Sequence, residues 1–461
     1  MNHAIFADNA LLPAGWCRNV LLGWDGQGRL TQVQANAPTP PTGTVVAAGP
    51  LIPGMPNLHS HAFQRALAGL TEYRGQAQDS FWSWRTVMYR FAGRLTPGQL
   101  EVIAFALYVE MLEAGYTAVC EFHYVHHDTD GQPYANDATM ALALLRAAQR
   151  AGIGFTLLPV LYQAGGFGGQ SASVDQRRFI RSTESVLRLL EHLQPLCEAQ
   201  GARLGLAPHS LRAVPPQALR EALTGLDAID ATAPVHIHIA EQSLEVDACI
   251  AWSGQRPVAW LLDHANVDER WCLVHATHMD ASEHATAAAR GAVTGLCPTT
   301  EANLGDGIFD LQAWRAAHGL WGIGSDSHIC VNAAEELLML EYSQRLATRQ
   351  RIVGATEAQS HVASALTLAA VQGGAQASGR PIGGLAVGQQ ADFVMLDADH
   401  PALLELAAAD MLSAHVFASN RSSAVTAVWV GGRPLVASGR HHLHHNAMAG
   451  FAAARKELLV P

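Results

Sequence analysis

The stretch Pro56-Asn57-Leu58-His59-Ser60-His61 sets two histidines one residue apart at the end of a short apolar run. On a strand, alternate residues share a face, so both imidazoles point the same way. Neutral imidazole is a good zinc ligand, and two on one strand make half a site. Spacing alone is a weak signal: 23 histidines in 461 residues give on the order of one His-x-His by chance. Three such pairs occur, His59/His61, His236/His238 and His442/His444, and context separates them.

Further along, His236-Ile-His238-Ile-Ala-Glu241-Gln242 puts a carboxylate three residues past a second strand's last histidine. His275 closes another apolar run, and Asp326 follows Gly322-Ile-Gly324-Ser325. His59, His61, His238 and Asp326 together supply three imidazoles and one carboxylate. That set suits one Zn2+ per chain, with Fe2+ and Mn2+ as alternatives, and leaves a coordination position open for water. Glu241 stands outside the set, as a carboxylate that moves a proton from such a water to a leaving nitrogen. His275 polarises the electrophile or orients the water. Each residue also has a plainer reading: His236 as a hydrogen-bonded core histidine, Asp326 as a helix N-cap, Glu241 as a solvated residue at a helix start, His275 as packing. His236 is best read the plain way. For the others, all the plain readings holding at once is the less economical account.

The late run His441-His442-Leu443-His444-His445 follows a Gly-Arg turn and reads as an exposed, adventitious metal binder. No His-Glu-x-x-His is present, and Cys297-Pro298-Thr299-Thr300 lacks the second cysteine of the zinc nucleobase deaminases. The single lysine, Lys456, sits near the end of the chain. A Schiff-base lysine, a P-loop lysine and a modified lysine bridging two metals are thereby excluded.

These residues need a frame. Apolar strands are expected at 52–58, 117–122, 154–161, 203–208, 234–240, 271–276, 292–297 and 321–325. Helices are expected between and after them, among others at 98–114, 136–150, 181–200, 280–290, 332–347 and 357–372. Val102, Phe105, Ala106, Val109 and Leu112 recur at three and four residues, the period of one helix face. Repeated βα units predict a (β/α)8 TIM-like barrel, with an open doubly wound sheet as the alternative. The alternative lacks its phosphate-binding glycine pattern: Gly152-Ile-Gly154 and Gly322-Ile-Gly324 have no third glycine. Ionisable residues fall at the C-terminal ends of the strands: Glu121 and His123, His209, His238, His275, Asp326. Barrels do their chemistry at that rim, and packing does not explain so many. Short β-hairpins over residues 1–50 and strands at 391–396 and 424–430 combine into a small β-sandwich from both chain ends. The expected division is 1–50, 51–378 for the barrel, and 379–461 for the rest of the sandwich with a C-terminal tail.

The composition agrees with a compact soluble protein with a large core. It is 49% hydrophobic and 15% charged, with a net charge of −11, which gives nucleic acid no basic face to bind. No apolar run reaches the ~18 residues of a membrane span, and the N-terminus lacks a signal-peptide pattern, so a cytoplasmic location is expected. Seven cysteines without a Cys-x-x-Cys read as reduced, buried small hydrophobes.

The insertion at 62–97 carries Phe63, Gln64, Phe81, Trp82, Trp84, Arg85 and Tyr89, and reads as a pocket wall. Arg85 on that loop and Arg212 after the fourth strand are two cations at one rim. The arginine fork matches a carboxylate bidentately, so two of them suit a dicarboxylate such as an N-substituted glutamate. Tyr124, His209 and Gln64 add donors and acceptors at the same level.

With His59-x-His61, His238-x-x-Glu241, His275 and Asp326 in this order, the chain resembles the mononuclear metal-dependent amidohydrolases. Within them it is similar to the formimidoylglutamate deiminase branch of histidine degradation. The resembling runs are Met55-Pro-Asn-Leu-His59-Ser-His61-Ala-Phe63-Gln64-Arg65, Trp82-Ser-Trp84-Arg85, Glu121-Phe-His-Tyr124, Ala207-Pro-His209-Ser-Leu-Arg212 and His236-Ile-His238-Ile-Ala-Glu241-Gln242. The resemblance implies hydrolytic deimination of N-formimidoyl-L-glutamate to N-formyl-L-glutamate and ammonia. It implies that Arg85, Tyr124, His209 and Arg212 hold the two carboxylates and that Gln64 meets the formimino end. Glu241, His275 and Asp326 are then the catalytic set. The expected partners are a small dicarboxylate substrate and a second copy of the chain, as a homodimer. The alternatives are a deaminase of an aminated heterocycle, or a non-catalytic barrel scaffold.

Overall fold

The computed structural model describes residues 3–73 and 81–460, with side chains left out at 81–83. Eight strands run parallel: β1 (Met55–Ser60), β2 (Tyr116–His123), β3 (Gly154–Leu161), β4 in two pieces (Arg203–Leu204 and Ala207–Pro208), β5 (Val235–Ile239), β6 (Trp271–His275), β7 (Val293–Leu296) and β8 (Leu320–Ile323). Asn57 of β1 lies opposite Val119 of β2 on one side and Ile323 of β8 on the other. Bridges Leu206–Val235 and Ser210–His238 join β4 to β5 and close the ring. Every residue of β1, β2 and β3 is buried. Parallel strands covered on both faces read as continuous apolar runs, which is why they stand out in the sequence.

The helices show how the chain between strands is started and stopped. Thr96 caps Pro97–Glu113 in a capping box with Gln99, and Pro97 sits where its missing N–H costs nothing. Gly115 then turns the chain into β2 with φ of 92°, a region glycine enters without strain. The helix expected at 357–372 is instead Val362–Ser378. It runs on through Gly373 and Gly374 because a Cβ there would stand 2.1 Å from the Trp321 carbonyl oxygen and 2.7 Å from Pro56. Those glycines let the helix lie directly on β8 and β1.

The run expected as one strand at 52–58 is two. Leu51–Pro53 pairs with strands of the terminal sheet, Leu51 beside Ala10 and Ile52 beside Val394, and β1 begins at Met55. The chain changes sheets at Gly54, where any Cβ would collide with Thr117. That terminal sheet has nine strands drawn from both ends of the chain. Its long hairpin pairs His3–Leu12 with Gly15–Trp24, and Val425–Val430 turns back into Arg433–Ala437 through Gly431 and Gly432, both at positive φ. Ile5, Val20, Leu22, Leu51 and Phe393 make its own small core.

Candidate metal and catalytic site

First and last strands are zipped together where the chemistry is expected. The Asp326 N–H donates to the His59 carbonyl at 2.9 Å, and the His61 N–H to the Asp326 carbonyl at 3.3 Å. Gly324 permits the approach, since a Cβ there would lie 2.8 Å from the His59 nitrogen. Asn57 ties the two strands below, donating to Ser325 Oγ at 2.7 Å and accepting the Ser325 N–H at 3.2 Å. Asp326 itself adopts φ of 44°, a left-handed conformation that aims its carboxylate at the histidines and costs strain the surrounding bonds must hold.

The ligand atoms of His59, His61, His238 and Asp326 all lie within 4.8 Å of one another, and all four residues are buried. Nε2 of His59 and of His61 are 3.0 Å apart, each 3.4 Å from Asp326 Oδ1. His61 Nδ1 donates to the Phe122 carbonyl at 2.9 Å and His238 Nδ1 to the His209 carbonyl at 3.0 Å. A carbonyl only accepts, so each ring carries its hydrogen on Nδ1 and turns the Nε2 lone pair inward. Burial, and then the neighbouring imidazoles, hold His59 and His238 well below the usual histidine range, so both stay neutral. Neutral lone pairs converging on a carboxylate without protein between them fit a divalent cation.

Glu241 and His275 stand on the open side of this cluster. His275 Nε2 is 3.7 Å from Glu241 Oε1 and 3.9 Å from Asp326 Oδ2. Burial is the largest influence on Glu241 and outweighs the pull of His275 and Arg212, lifting its carboxyl to about 7. Glu241 is no solvated surface residue: it follows Ala240 at φ of 51°, and Glu245 accepts the N–H of both at 3.2 Å.

A pocket of 60 Å³ opens onto these groups, and Gln64, Arg85, Tyr124, His209, Arg212, His238, Glu241, His275 and Asp326 all line it. Gln64 Nε2 donates to the Tyr124 hydroxyl at 2.9 Å, while its Oε1 is buried without a hydrogen-bond partner. Burial, with Arg212 nearby, keeps His209 well below the usual range, so its ring is neutral beside the arginines. Trp84, Met88 and Tyr89 of the helix Phe81–Ala92 complete one wall. The side chains of Phe81 and Trp82, expected in the same wall, lie outside the described residues.

Several residues were not anticipated. Tyr162, Phe179 and Leu304 also line the pocket, and Glu301 stands behind His275 with Oε1 3.2 Å from Nδ1. The sequence offers little signal for them beyond Tyr162 and Glu301 falling just after barrel strands. His123 points elsewhere: it is buried with its ring 5.0 Å from His126 and does not line the pocket. His236 is the hydrogen-bonded core histidine expected, donating to the Ala377 carbonyl at 2.8 Å. In the late histidine run, only His442 and His445 are exposed. Buried His441 donates to the Ala151 carbonyl at 3.1 Å, and His444 Nδ1 meets Glu113 at 2.9 Å, so half of that run is packing.

A closed parallel barrel with this ligand set at its C-terminal rim belongs to a known class. Residues 51–435 match the amidohydrolase family, and the chain belongs to that family. Residues 2–42 match a narrower description, the N-terminal domain of the formimidoylglutamate deiminase HutF. The formimidoylglutamate deiminase of Pseudomonas aeruginosa is 52% identical over 457 residues, covering 99% of each chain. The crystal structure of an amidohydrolase from Brucella melitensis superposes with a TM-score of 0.94 at 49% identity, covering 99% of this chain and 100% of that one. A more distant relative, the 5-methylthioadenosine/S-adenosylhomocysteine deaminase of Natronomonas pharaonis, is 28% identical over 84% of this chain and 81% of its own.

Proposed function

We propose that the chain is a zinc-dependent formimidoylglutamate deiminase, converting N-formimidoyl-L-glutamate and water to N-formyl-L-glutamate and ammonia. One observation carries the reading: a single pocket brings two cations, Arg85 and Arg212, together with His238, Glu241, His275 and Asp326. Bidentate arginine recognition suits a dicarboxylate, and the acid–base groups beside it suit C–N hydrolysis. The likeness to the Pseudomonas aeruginosa deiminase over the whole chain supports the same substrate.

His59, His61, His238 and Asp326 are the residues to hold the cation. When bound there, Zn2+ supplies Lewis acidity and lowers the pKa of water from about 15.7 toward about 7. The side chains do the rest. Arg85, Arg212, Tyr124 and His209 hold the two carboxylates and fix the formimino carbon over the cluster. Gln64 Oε1 accepts a formimino N–H. As water adds to the formimino carbon, Asp326 takes one of its protons and Glu241 gives one to the imino nitrogen, which becomes an amine, while His275 steadies the tetrahedral centre. Asp326 then passes its proton to that amine, and the hydroxyl returns one to Glu241. Ammonia leaves as the C=O of the formyl group forms.

The test is ammonia release from N-formimidoyl-L-glutamate beside guanine and cytosine, with and without a chelator, and with metal measured by elemental analysis. Chelator-sensitive turnover of the formimino substrate alone, with zinc near one equivalent, is expected. Turnover of a heterocycle in its place would move the chain to the other deaminase class.

A further inference from the structure

We propose that Glu301 is a positioning residue for the reaction: it grips Nδ1 of His275 and so holds Nε2 between Glu241 and Asp326. The functional consequence rests on the deimination proposed above; the geometry does not.

His275 ends β6 with φ of 65°, and Ala276 follows at 51°, so the backbone beneath the ring is in the strained left-handed region twice over. A histidine on such a turn needs an outside hold to keep one ring direction. Glu301 provides it. Its Oε1 lies 3.2 Å from His275 Nδ1 and also accepts the Cys297 N–H at 2.8 Å. Oε1 is therefore the acceptor in both bonds, and Nδ1 carries the hydrogen. That leaves Nε2, buried and without a hydrogen-bond partner, as the working nitrogen 3.7 Å from Glu241 and 3.9 Å from Asp326. Glu301 is itself rigid: it sits on the helix Pro298–Leu304 directly after β7, its N–H donates to the Cys297 carbonyl at 2.9 Å, and it is 5% exposed.

His275, Cys297 and Glu301 also bring ligand atoms within 4.8 Å of one another, so a second cation is the competing use of Glu301. Two features favour positioning. Oε1 already accepts two N–H groups, and burial, then the nearby carboxylates Asp326 and Glu301, pushes the Cys297 thiol well above its usual value, so it keeps its hydrogen and ligates poorly.

The experiment compares the full-length metal-loaded protein with Glu301→Ala and Glu301→Gln. Glu301→Ala is expected to lower kcat about 100-fold while KM stays within about threefold and metal content is unchanged. Glu301→Gln, whose amide oxygen still accepts both N–H groups, is expected to recover kcat to within about tenfold of the unaltered protein. A crystal structure of Glu301→Ala is expected to show the His275 ring turned out of its place between Glu241 and Asp326. Unchanged kcat in Glu301→Ala, an unmoved ring, or a second equivalent of metal that Glu301→Ala loses would each overturn the proposal. Should Glu301→Ala not fold by circular dichroism, Glu301→Asp replaces it, since a carboxylate one methylene shorter does not reach Nδ1; full activity there overturns the proposal too. If the unaltered protein releases no ammonia from the formimino substrate, the functional reading falls alone, and the ring position in the crystal still decides for or against Glu301.

Discussion

Arg212 lies in the same pocket as Glu241, with Nη2 3.9 Å from Glu241 Oε2. Burial opposes its charge, but Glu245 and Glu241 outweigh burial and hold the guanidinium firmly protonated. The pocket thus holds a fixed cation, the partner proposed above for a substrate carboxylate. Arg212→Ala and Arg85→Ala should each lose about 1.5–3 kcal/mol of transition-state binding, roughly 10- to 150-fold in kcat/KM by ammonia-release kinetics. Equal turnover by either variant would remove that arginine from the substrate. Glu241→Gln separates binding from chemistry: kcat should fall about 100- to 10,000-fold while elemental analysis still finds the metal, because Glu241 is not one of its four candidate ligands. The residues legible in the sequence were those that break a pattern, an ionisable group closing an apolar strand. His59, His61, His238 and Asp326 do this, and so does His275. Glu301, Tyr162 and Phe179 do not, because a polar or aromatic residue on a loop or short helix looks ordinary until the fold brings it to the pocket.

The helix Phe81–Ala92 matters because it presents Trp84, Arg85, Met88 and Tyr89 to the pocket from the insertion between β1 and β2. What anchors it is Arg178, 1% exposed, whose guanidinium donates to the carbonyls of Ala92, His127 and Leu95, the last two at 2.8 Å. The final carbonyls of a helix have no partners within it, and a buried arginine satisfies them while favouring the negative end of the helix dipole. Arg178→Met keeps most of the volume and removes the donors. It should raise KM about tenfold with kcat little changed, because Arg85 loses its support while the ligand cluster is untouched, and thermal melts should show a loss of about 1–3 kcal/mol. A variant with unaltered KM would show that the helix is placed by its apolar contacts alone. Element boundaries were less legible than elements. Gly54, Gly373 and Gly374 look like ordinary breaks in the sequence, yet one marks a change of sheet and two mark a helix lying against β8 and β1, facts that depend on what sits opposite.

Across the whole molecule, the fold buries titratable groups whose demands oppose each other. Burial lowers His123 to about 3 and His415 to about 4, so the unfolded chain, titrating near 6.5, binds more protons below that pH; the stability these groups give is present above about 6.5 and lost on acidification. Carboxyls run the other way. Burial outweighs the hydrogen bonds donated to each and raises Glu121 to about 7 and Glu336 to about 8, so their contribution is full below about 4.5 and is lost as pH rises through 7 and 8. Stability should therefore fall on both sides of a maximum near the acid edge of neutrality. Glu336 isolates the alkaline side. It is wholly buried, accepting the Thr299 N–H at 2.9 Å and its hydroxyl at 2.6 Å, and above pH 8 it must carry a charge there. Glu336→Gln keeps an acceptor oxygen and has nothing to ionise. Between pH 5 and pH 8.5 the stability of Glu336→Gln relative to the parent should rise by about 3–5 kcal/mol in urea titrations, whatever its offset at pH 5. A difference that stays constant over that range would mean that Glu336 titrates as it does in the unfolded chain and that the fold exerts no hold on its proton.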